Sequence, residues 1–166
     1  MSEPIETHSQ SAHAGKYLTF GLGNEGYGLE ILKVREIIGY MDITAVPRTP
    51  CYVRGVINLR GQVISIVDLR AKFGMPTVER TEETCIIVVE ITQDGRKFST
   101  GIVVDRVAEV LNIAAGQIEP APTFGSAVPT DFILGMGKVG QAVKILLDID
   151  RVLVSDTLAG TLGAAA

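Results

Sequence analysis

Two aspartates, Asp68 and Asp148, are the residues of this chain that come closest to a catalytic pair. Each follows aliphatic residues in a similar context, and two carboxylates that share a proton can catalyse peptide hydrolysis. That chemistry requires each aspartate to lie in an Asp-Thr-Gly or Asp-Ser-Gly turn. Here the following residues are Leu69-Arg70 and Ile149-Asp150. We therefore predict that both aspartates cap short helices.

Other signatures of catalysis are missing from the sequence, which contains no nucleophile elbow, P-loop or GxGxxG motif. Both histidines, His8 and His13, lie in the polar segment 1–15, so the commonest general base near neutral pH is absent from the rest of the chain. Their spacing could suggest a metal site, but no cysteine or carboxylate pair lies nearby. We expect no enzymatic activity, no cofactor and no metal.

Composition indicates a folded protein and excludes nucleic acid as the main partner. Of the 166 residues 46% are hydrophobic, the net charge is −4, and the 15 basic residues are scattered singly along the chain. Cys51 and Cys85 lack a CxxC spacing and are predicted to be free thiols in a reducing compartment. The polar N-terminus has no apolar signal region, and the apolar runs are of strand length. We expect a cytoplasmic protein without membrane insertion.

A predicted hairpin carries the best candidate for binding. Val53 to Leu59 alternates in polarity and places Asn58 and Arg60 at the rim, Gly61-Gln62 reverses the chain, and Val63 to Val67 is apolar enough to be buried on both faces. Arg60 beside Asn58 could make a bidentate contact to a carboxylate or to the backbone of another protein. The alternative is an ordinary solvated arginine at a strand end.

Most of the remaining pattern is that of short strands. Val34 and Glu36 lie on one face of a predicted strand, and Leu69 to Phe73 form a short helix that Asp68 caps and Gly74 ends. Phe124 lies in the irregular, proline-containing stretch 114–131. It either packs under its loop or stands out as an anchor for a partner. The pattern does not choose between these.

The two halves of the chain repeat one another in order. Residues 28–38 align with 101–111 at an offset of 73, Gly55 and Asp68 align with Gly135 and Asp148 at 80, and Gly61-Gln62 aligns with Gly140-Gln141 at 79, which implies a one-residue slip. The alternative is that small β-modules simply share glycine turns. About five short strands in each half predict an all-β fold, with a few short helices, of two packed barrels.

Several segments resemble the bacterial chemotaxis coupling proteins of the CheW family. They are the segments 27–37, 55–61, 66–69, 101–105 and 117–122. The resemblance covers about 16–155 and implies two packed five-stranded SH3-like β-barrels, at roughly 16–80 and 83–155, which could exchange strands. Residues 1–15 and 156–166 are predicted to be flexible tails.

The resemblance also implies a scaffold role. Members of this family couple the cytoplasmic tips of methyl-accepting chemoreceptors to the histidine kinase CheA, within arrays at the membrane. By motif position Val34, Glu36, Gly55 and Arg60 are receptor-binding candidates, together with Asn58 of the same hairpin, and Phe124 is a candidate for the contact with the CheA regulatory domain. The alternative function is a double barrel that binds a small ligand or a peptide outside chemotaxis, with an enzyme as the third possibility.

Overall fold

The computed structural model describes residues 13–120 and 130–153, and within them the chain forms eleven strands and two short α-helices. The strands are β1 (Gly15–Leu22), β2 (Glu25–Glu30), β3 (Val34–Gly39), β4 (Val53–Leu59), β5 (Gln62–Asp68), β6 (Cys85–Gln93), β7 (Arg96–Val104), β8 (Arg106–Ile113), β9 (Ile118–Glu119), β10 (Ile133–Val139) and β11 (Ala142–Leu147). The α-helices are α1 (Leu69–Lys72) and α2 (Ile149–Leu153), and short 3-10 helices span Ile31–Lys33, Ala115–Gln117 and Thr130–Phe132. The predicted all-β class with few short helices is confirmed.

The strands form two sheets, with the orders β3-β6-β7-β5-β4 and β8-β1-β2-β11-β10-β9. The first has the predicted five strands, and the second has a sixth because the two-residue β9 adds to β10. Each sheet takes strands from both halves of the chain. Two parallel pairs, β5 with β7 and β11 with β2, join strands that are distant in sequence.

The internal repeat is visible in equivalent contacts of the two sheets. Asp68 N donates to Tyr52 O at 2.8 Å, and Asp148 N donates to Phe132 O at 2.8 Å, both 80 residues further along. Ile66 pairs with Gly101 just as Leu146 pairs with Gly28. In each parallel pair the aliphatic side chain covers the glycine. A Cβ on Gly101 would lie 2.6 Å from Ile66 Cδ1, and a Cβ on Gly28 would lie 2.9 Å from Leu146 Cδ2.

The core has three parts because each sheet buries both of its faces. The largest cluster fills the space between the sheets and includes Phe20, Leu29, Val89 and Ile102. A second cluster, which includes Ile66 and Ile86, lies on the other face of the five-stranded sheet, and a third lies on the six-stranded sheet. Burial on both faces explains why strands such as β6 are apolar throughout.

Both predicted helix caps are present. Asp68 precedes α1, and its Oδ1 accepts from Arg70 N at 3.0 Å, while Asp148 precedes α2 and its Oδ1 accepts from Arg151 N at 3.3 Å. Gly74 follows α1 with a φ of 74°, as expected for a glycine that ends a helix. The two carboxylates therefore bind helix N–H groups.

One prediction of burial was wrong. Val63 is 67% exposed, although the strand around it was expected to be buried on both faces. Val63 points the same way as Ser65 and Val67, toward the space between the sheets, but it lies at the end of the hairpin, beyond the cover of the other sheet. Its equivalent Val143 is 50% exposed for the same reason.

Candidate partner-binding surface

The candidate residues Glu36 and Arg60 meet across the open side of the five-stranded sheet. Glu36 lies on β3 and Arg60 follows β4, and these two strands are the edges of that sheet. The Arg60 guanidinium forms an ion pair with the Glu36 carboxylate. The Arg60 side chain remains 68% exposed, against 30% for Glu36. The pair links the two edges and leaves most of the arginine available to solvent.

The turn that carries Arg60 is tight and internally braced. Leu59 pairs with Gln62, so the loop consists of Arg60 and Gly61, with φ values of 51° and 86°. Positive φ at both central residues is the pattern of type I′ turns, which suit the twist of a hairpin. Asn58 Oδ1 accepts from Gly61 N at 2.8 Å. Asn58 therefore holds the turn that presents Arg60.

The matching hairpin of the second half shows that arginine is an unusual choice at this position. There Val139 pairs with Ala142, so the loop is Gly140-Gln141 and Arg60 is equivalent to Gly140, at an offset of 80. The one-residue slip inferred from sequence was therefore wrong, since it aligned identical letters rather than equivalent turn positions. Gly140 has a φ of 61°, a conformation that costs glycine little and costs other residues roughly 1–2 kcal/mol.

Gly55 is buried within the hairpin, and its place there follows from packing. A β-bulge separates it from Val53, its φ is 142°, and Thr44 exchanges two 2.9 Å backbone hydrogen bonds with the next residue, Val56. A Cβ on Gly55 would lie 2.7 Å from the carbonyl carbon of Thr44 and closer still to its oxygen. Gly55 lies five residues before Arg60, roughly 16 Å along the strand.

Val34 begins the edge strand on which Glu36 lies. It pairs with Val89, is half-buried against the main core, and is separated from Glu36 by a β-bulge. Glu36 lies opposite Val88, on the other face of the sheet, so the prediction that Val34 and Glu36 share one face was wrong. Ile37, next to Glu36 in sequence, is 45% exposed on the same edge. The structure thus brings Glu36, Asn58 and Arg60 together at one end of the sheet, and it sets Val34 nearby on β3.

Sequence reasoning missed the residues that surround this end of the sheet. A shallow depression is lined by Glu36 and Arg60 and also by Arg35, Gln62, Ile64, Val88 and Ser99. Arg35 Nη1 lies 3.1 Å from Glu90 Oε1, and Lys97 Nζ lies 3.6 Å from the other oxygen of Glu90. The pairing of β3 with β6 brings Glu90 beside Arg35, and only knowledge of that pairing could have found it.

In the ranges 13–120 and 130–153 no group of three or more His, Cys, Asp and Glu residues is placed to hold a metal ion. Within those ranges no helix is long and apolar enough to cross a membrane. Phe124 and His8 lie outside the described residues.

These features define an all-β protein in which the exposed Arg60 occupies a turn position that glycine fills in the equivalent hairpin. The family model of the CheW-like domain matches residues 16–157, and the chain belongs to this family.

The chain is also similar to individual members of this family. It is 44% identical over 144 residues to the chemotaxis protein CheW of Klebsiella aerogenes. This match covers 87% of this chain and 84% of the relative. It is 31% identical over 157 residues to chemotaxis protein CheW of Thermotoga maritima, with 93% and 97% covered. The crystal structure of the scaffolding protein TtCheW from Thermoanaerobacter tengcongensis matches with a TM-score of 0.75 at 34% identity, covering 84% of this chain and 87% of that one.

Proposed function

We propose that this chain is a scaffold of bacterial chemotaxis that couples methyl-accepting chemoreceptors to the histidine kinase CheA. Membership of the CheW-like family supports the chemotaxis role, since the relatives named above are chemotaxis proteins and the structural neighbour is called a scaffolding protein. The protein acts in the cytoplasm, where membrane-bound receptor arrays recruit it, and it has no catalytic step of its own.

The observation that carries the receptor part of this proposal is the conformation of Arg60. An arginine stands in a left-handed turn position where the equivalent hairpin has glycine, so folding alone does not require it. Residues held in costly backbone conformations are concentrated at functional sites. The Arg60 head group is exposed and presents planar donors suited to a carboxylate or a backbone carbonyl.

The other receptor-binding candidates take distinct parts in this surface. Glu36 orients Arg60 through their ion pair, and Asn58 fixes the turn. Val34 adds a partly exposed apolar position on the same edge strand, and Gly55 shapes the hairpin from within. A receptor helix laid along this edge would meet apolar and charged groups in succession.

Phe124 is assigned to the contact with the regulatory domain of CheA. This assignment rests on the position of Phe124 in the family motif, and the residue lies outside the described ranges. A large aromatic side chain is a common anchor at protein interfaces. We expect Phe124→Ala to impair array assembly while the melting temperature changes little.

Reconstituted arrays of receptor fragments, CheA and this protein test the proposal. We expect Arg60→Glu to reduce receptor binding and kinase activation, because the reversed charge faces Glu36 and repels it. Lys138→Glu is the matched control, since Lys138 occupies the position equivalent to Asn58 on the other hairpin and pairs with Glu119 at 2.6 Å. Absence of binding to both receptor fragments and CheA would refute the scaffold role, and normal activation by Arg60→Glu would refute the assignment of this surface.

A further inference from the structure

A second candidate surface lies on the six-stranded sheet, where one row of residues crosses four strands. Arg106 on β8 pairs with Gly21 on β1, Gly21 pairs with Gly26 on β2, and Gly26 pairs with Lys144 on β11. Two basic residues therefore flank two adjacent glycines at the tip of the β1–β2 hairpin. We call these four residues the basic trough.

Both basic side chains bend over the glycines. A Cβ on Gly21 would lie 2.7 Å from Arg106 Nε, and a Cβ on Gly26 would lie 2.7 Å from Lys144 Nζ. Directly opposed residues have Cβ positions about 4.5–5.5 Å apart, so the guanidinium and the ammonium lie within about 11 Å of one another. Because neither glycine has a side chain, the two cationic head groups lie directly against the main chain of Gly21 and Gly26.

No carboxylate of the described residues forms an ion pair with either cation, although, besides the hydrogen bond from Arg70, the charge of Arg106 contributes to lowering the pKa of the adjacent Asp105. Neither Arg106 nor Lys144 has an ion pair within the ranges that the structure describes. Arg106 Nη2 donates to Gly23 O at 2.9 Å, which leaves its other donors free of described partners. The adjoining carboxylate, Asp105, is bound to Arg70 at 2.7 Å. The protein as a whole is acidic, with a net charge of −4, so two half-buried cations side by side stand out.

The fold itself does not require Lys144 or the glycine beneath it. At the offsets of 80 and 73 that relate the two halves, the equivalent positions hold Ile64 and Ser99. The five-stranded sheet therefore closes its matching end with a neutral aliphatic residue and a hydroxyl. The unneutralised lysine over a bare glycine belongs to the second half alone.

We propose that the basic trough binds a carboxylate of an acidic segment on a partner protein. The guanidinium supplies planar donors and the ammonium a point charge, and the flexible Lys144 side chain can move toward Arg106 so that both bind one carboxylate. Two cations exceed the single negative charge of one carboxylate, and the surplus attracts the further carboxylates of an acidic segment; inorganic phosphate is the competing ligand that the test includes. The trough lies on the other sheet from Arg60, so this proposal stands independently of the receptor surface.

Amide NMR spectra of the full-length protein, titrated with a blocked Glu-Glu dipeptide, test the proposal. We expect saturable shifts centred on the amides of Gly21 and Gly26, which added salt weakens. Lys144→Gln should lower the affinity about tenfold, the effect of one charge-assisted hydrogen bond. Lys138→Gln is the control, since Lys138 lies on the neighbouring strand with its ammonium already bound to Glu119.

A second variant keeps both charges and displaces the Lys144 head group from its place over Gly26. Gly26→Ala places a methyl group where the Lys144 ammonium lies, at a backbone conformation that alanine can adopt, and it should also weaken binding. A blocked Gln-Gln dipeptide should cause no such shifts. The proposal is overturned by equal responses to the two dipeptides, by equal affinities of the Lys144→Gln and Lys138→Gln proteins, by shifts centred elsewhere, or by tighter binding of inorganic phosphate.

Discussion

Arg70 and Asp150 occupy equivalent positions in the two halves of the fold, because each is the second residue after the aspartate that caps its helix. Each forms an ion pair that holds its helix in place, but the two residues carry opposite charges. Arg70 Nη2 lies 2.7 Å from Asp105 Oδ2, and Asp150 Oδ2 lies 2.6 Å from Lys33 Nζ. Asp105 and Lys33 each follow the strand that runs parallel to the strand before the helix. Each half therefore has one such ion pair, which we call its clamp, and the charges are reversed between the two. At the offset of 73 Lys33 aligns with Arg106 rather than with Asp105, so the partners of the helix residues are not equivalent positions.

In each clamp the carboxylate also reaches the other sheet. Asp105 Oδ2 accepts from Gly23 N at 2.7 Å, and Asp150 Oδ1 accepts from Thr92 N at 2.9 Å. Gly23 follows β1 of the six-stranded sheet, while Thr92 lies on β6 of the five-stranded sheet. In each half, therefore, one carboxylate takes part in the ion pair at the helix and also accepts a backbone hydrogen bond from the opposite sheet.

The first clamp predicts a pH-dependent stability. The hydrogen bond from Arg70 is the main cause that lowers the pKa of Asp105, with further contributions from Gly23 N and from the nearby charges. A carboxyl whose pKa is lower in the folded state contributes stability above its unfolded-state pKa and loses it as the pH falls through the folded value. Arg70→Met should therefore lower the free energy of unfolding at pH 7, and its difference from the unmodified protein should shrink below about pH 4.

Urea unfolding at a series of pH values measures this effect. Lys97→Met is the control, because Lys97 is 74% exposed and lies 3.6 Å from Glu90, so its removal should change stability little at any pH. A difference between the Arg70→Met and unmodified proteins that stays constant from pH 7 to about pH 3 would contradict the coupling to Asp105.

Variants of the second clamp, the ion pair of Asp150 with Lys33, separate the contribution of this ion pair to stability from that of the backbone hydrogen bond. Asp150→Ala removes both the ion pair with Lys33 and the acceptor for Thr92 N, and it should cost about 1–3 kcal/mol. Asp150→Asn keeps an acceptor for Thr92 N, and Lys33→Met keeps the whole carboxylate, so each should cost less. Urea unfolding of the three variants gives their order, and an Asp150→Asn protein as unstable as Asp150→Ala would show that the Thr92 bond contributes nothing.

Local features of this fold could be predicted from the sequence, whereas its pairings could not. Asp68 and Gly74 mark the ends of α1 through residue chemistry that acts within a few positions. The parallel pairing of Ile66 with Gly101 joins residues 35 positions apart, and no periodicity encodes it. For that reason the sequence allowed an exchange of strands between the two halves but did not predict which strands would pair.

The same limit applies to the candidate site. The sequence predicted that Arg60 lies at the rim of a hairpin, but its partner Glu36 lies on another edge strand, 24 residues away. The sequence alignment of Gly61-Gln62 with Gly140-Gln141 implies that Val139 is equivalent to Arg60, which is wrong because the letters match while the turn positions do not. Only the register of the strands identifies Gly140 as the counterpart.

We expect the same substitution to lower the free energy of unfolding by different amounts at two glycines of the β4–β5 hairpin. Gly55→Ala places a methyl group against the Thr44 carbonyl at a φ of 142°, so both the backbone and the packing oppose it, and we expect a loss of more than about 3 kcal/mol. Gly61→Ala meets nothing within 4 Å and should cost only about 1–2 kcal/mol, for its φ of 86°. Equal losses for the two variants in urea unfolding would mean that the clash with Thr44 is relieved by a small shift.

Replacing Arg60 by glycine or by alanine distinguishes function from folding at this turn. Both variants lack the guanidinium and the ion pair with Glu36, so both should lose receptor coupling. They differ in the backbone, because alanine keeps the cost of a φ of 51° whereas glycine does not. We expect Arg60→Gly to be more stable than Arg60→Ala by about 1 kcal/mol, once the greater entropy of unfolded glycine is subtracted. Urea unfolding and a receptor-binding assay on the same two proteins test this, and retained coupling in either variant would argue against a role for the Arg60 head group.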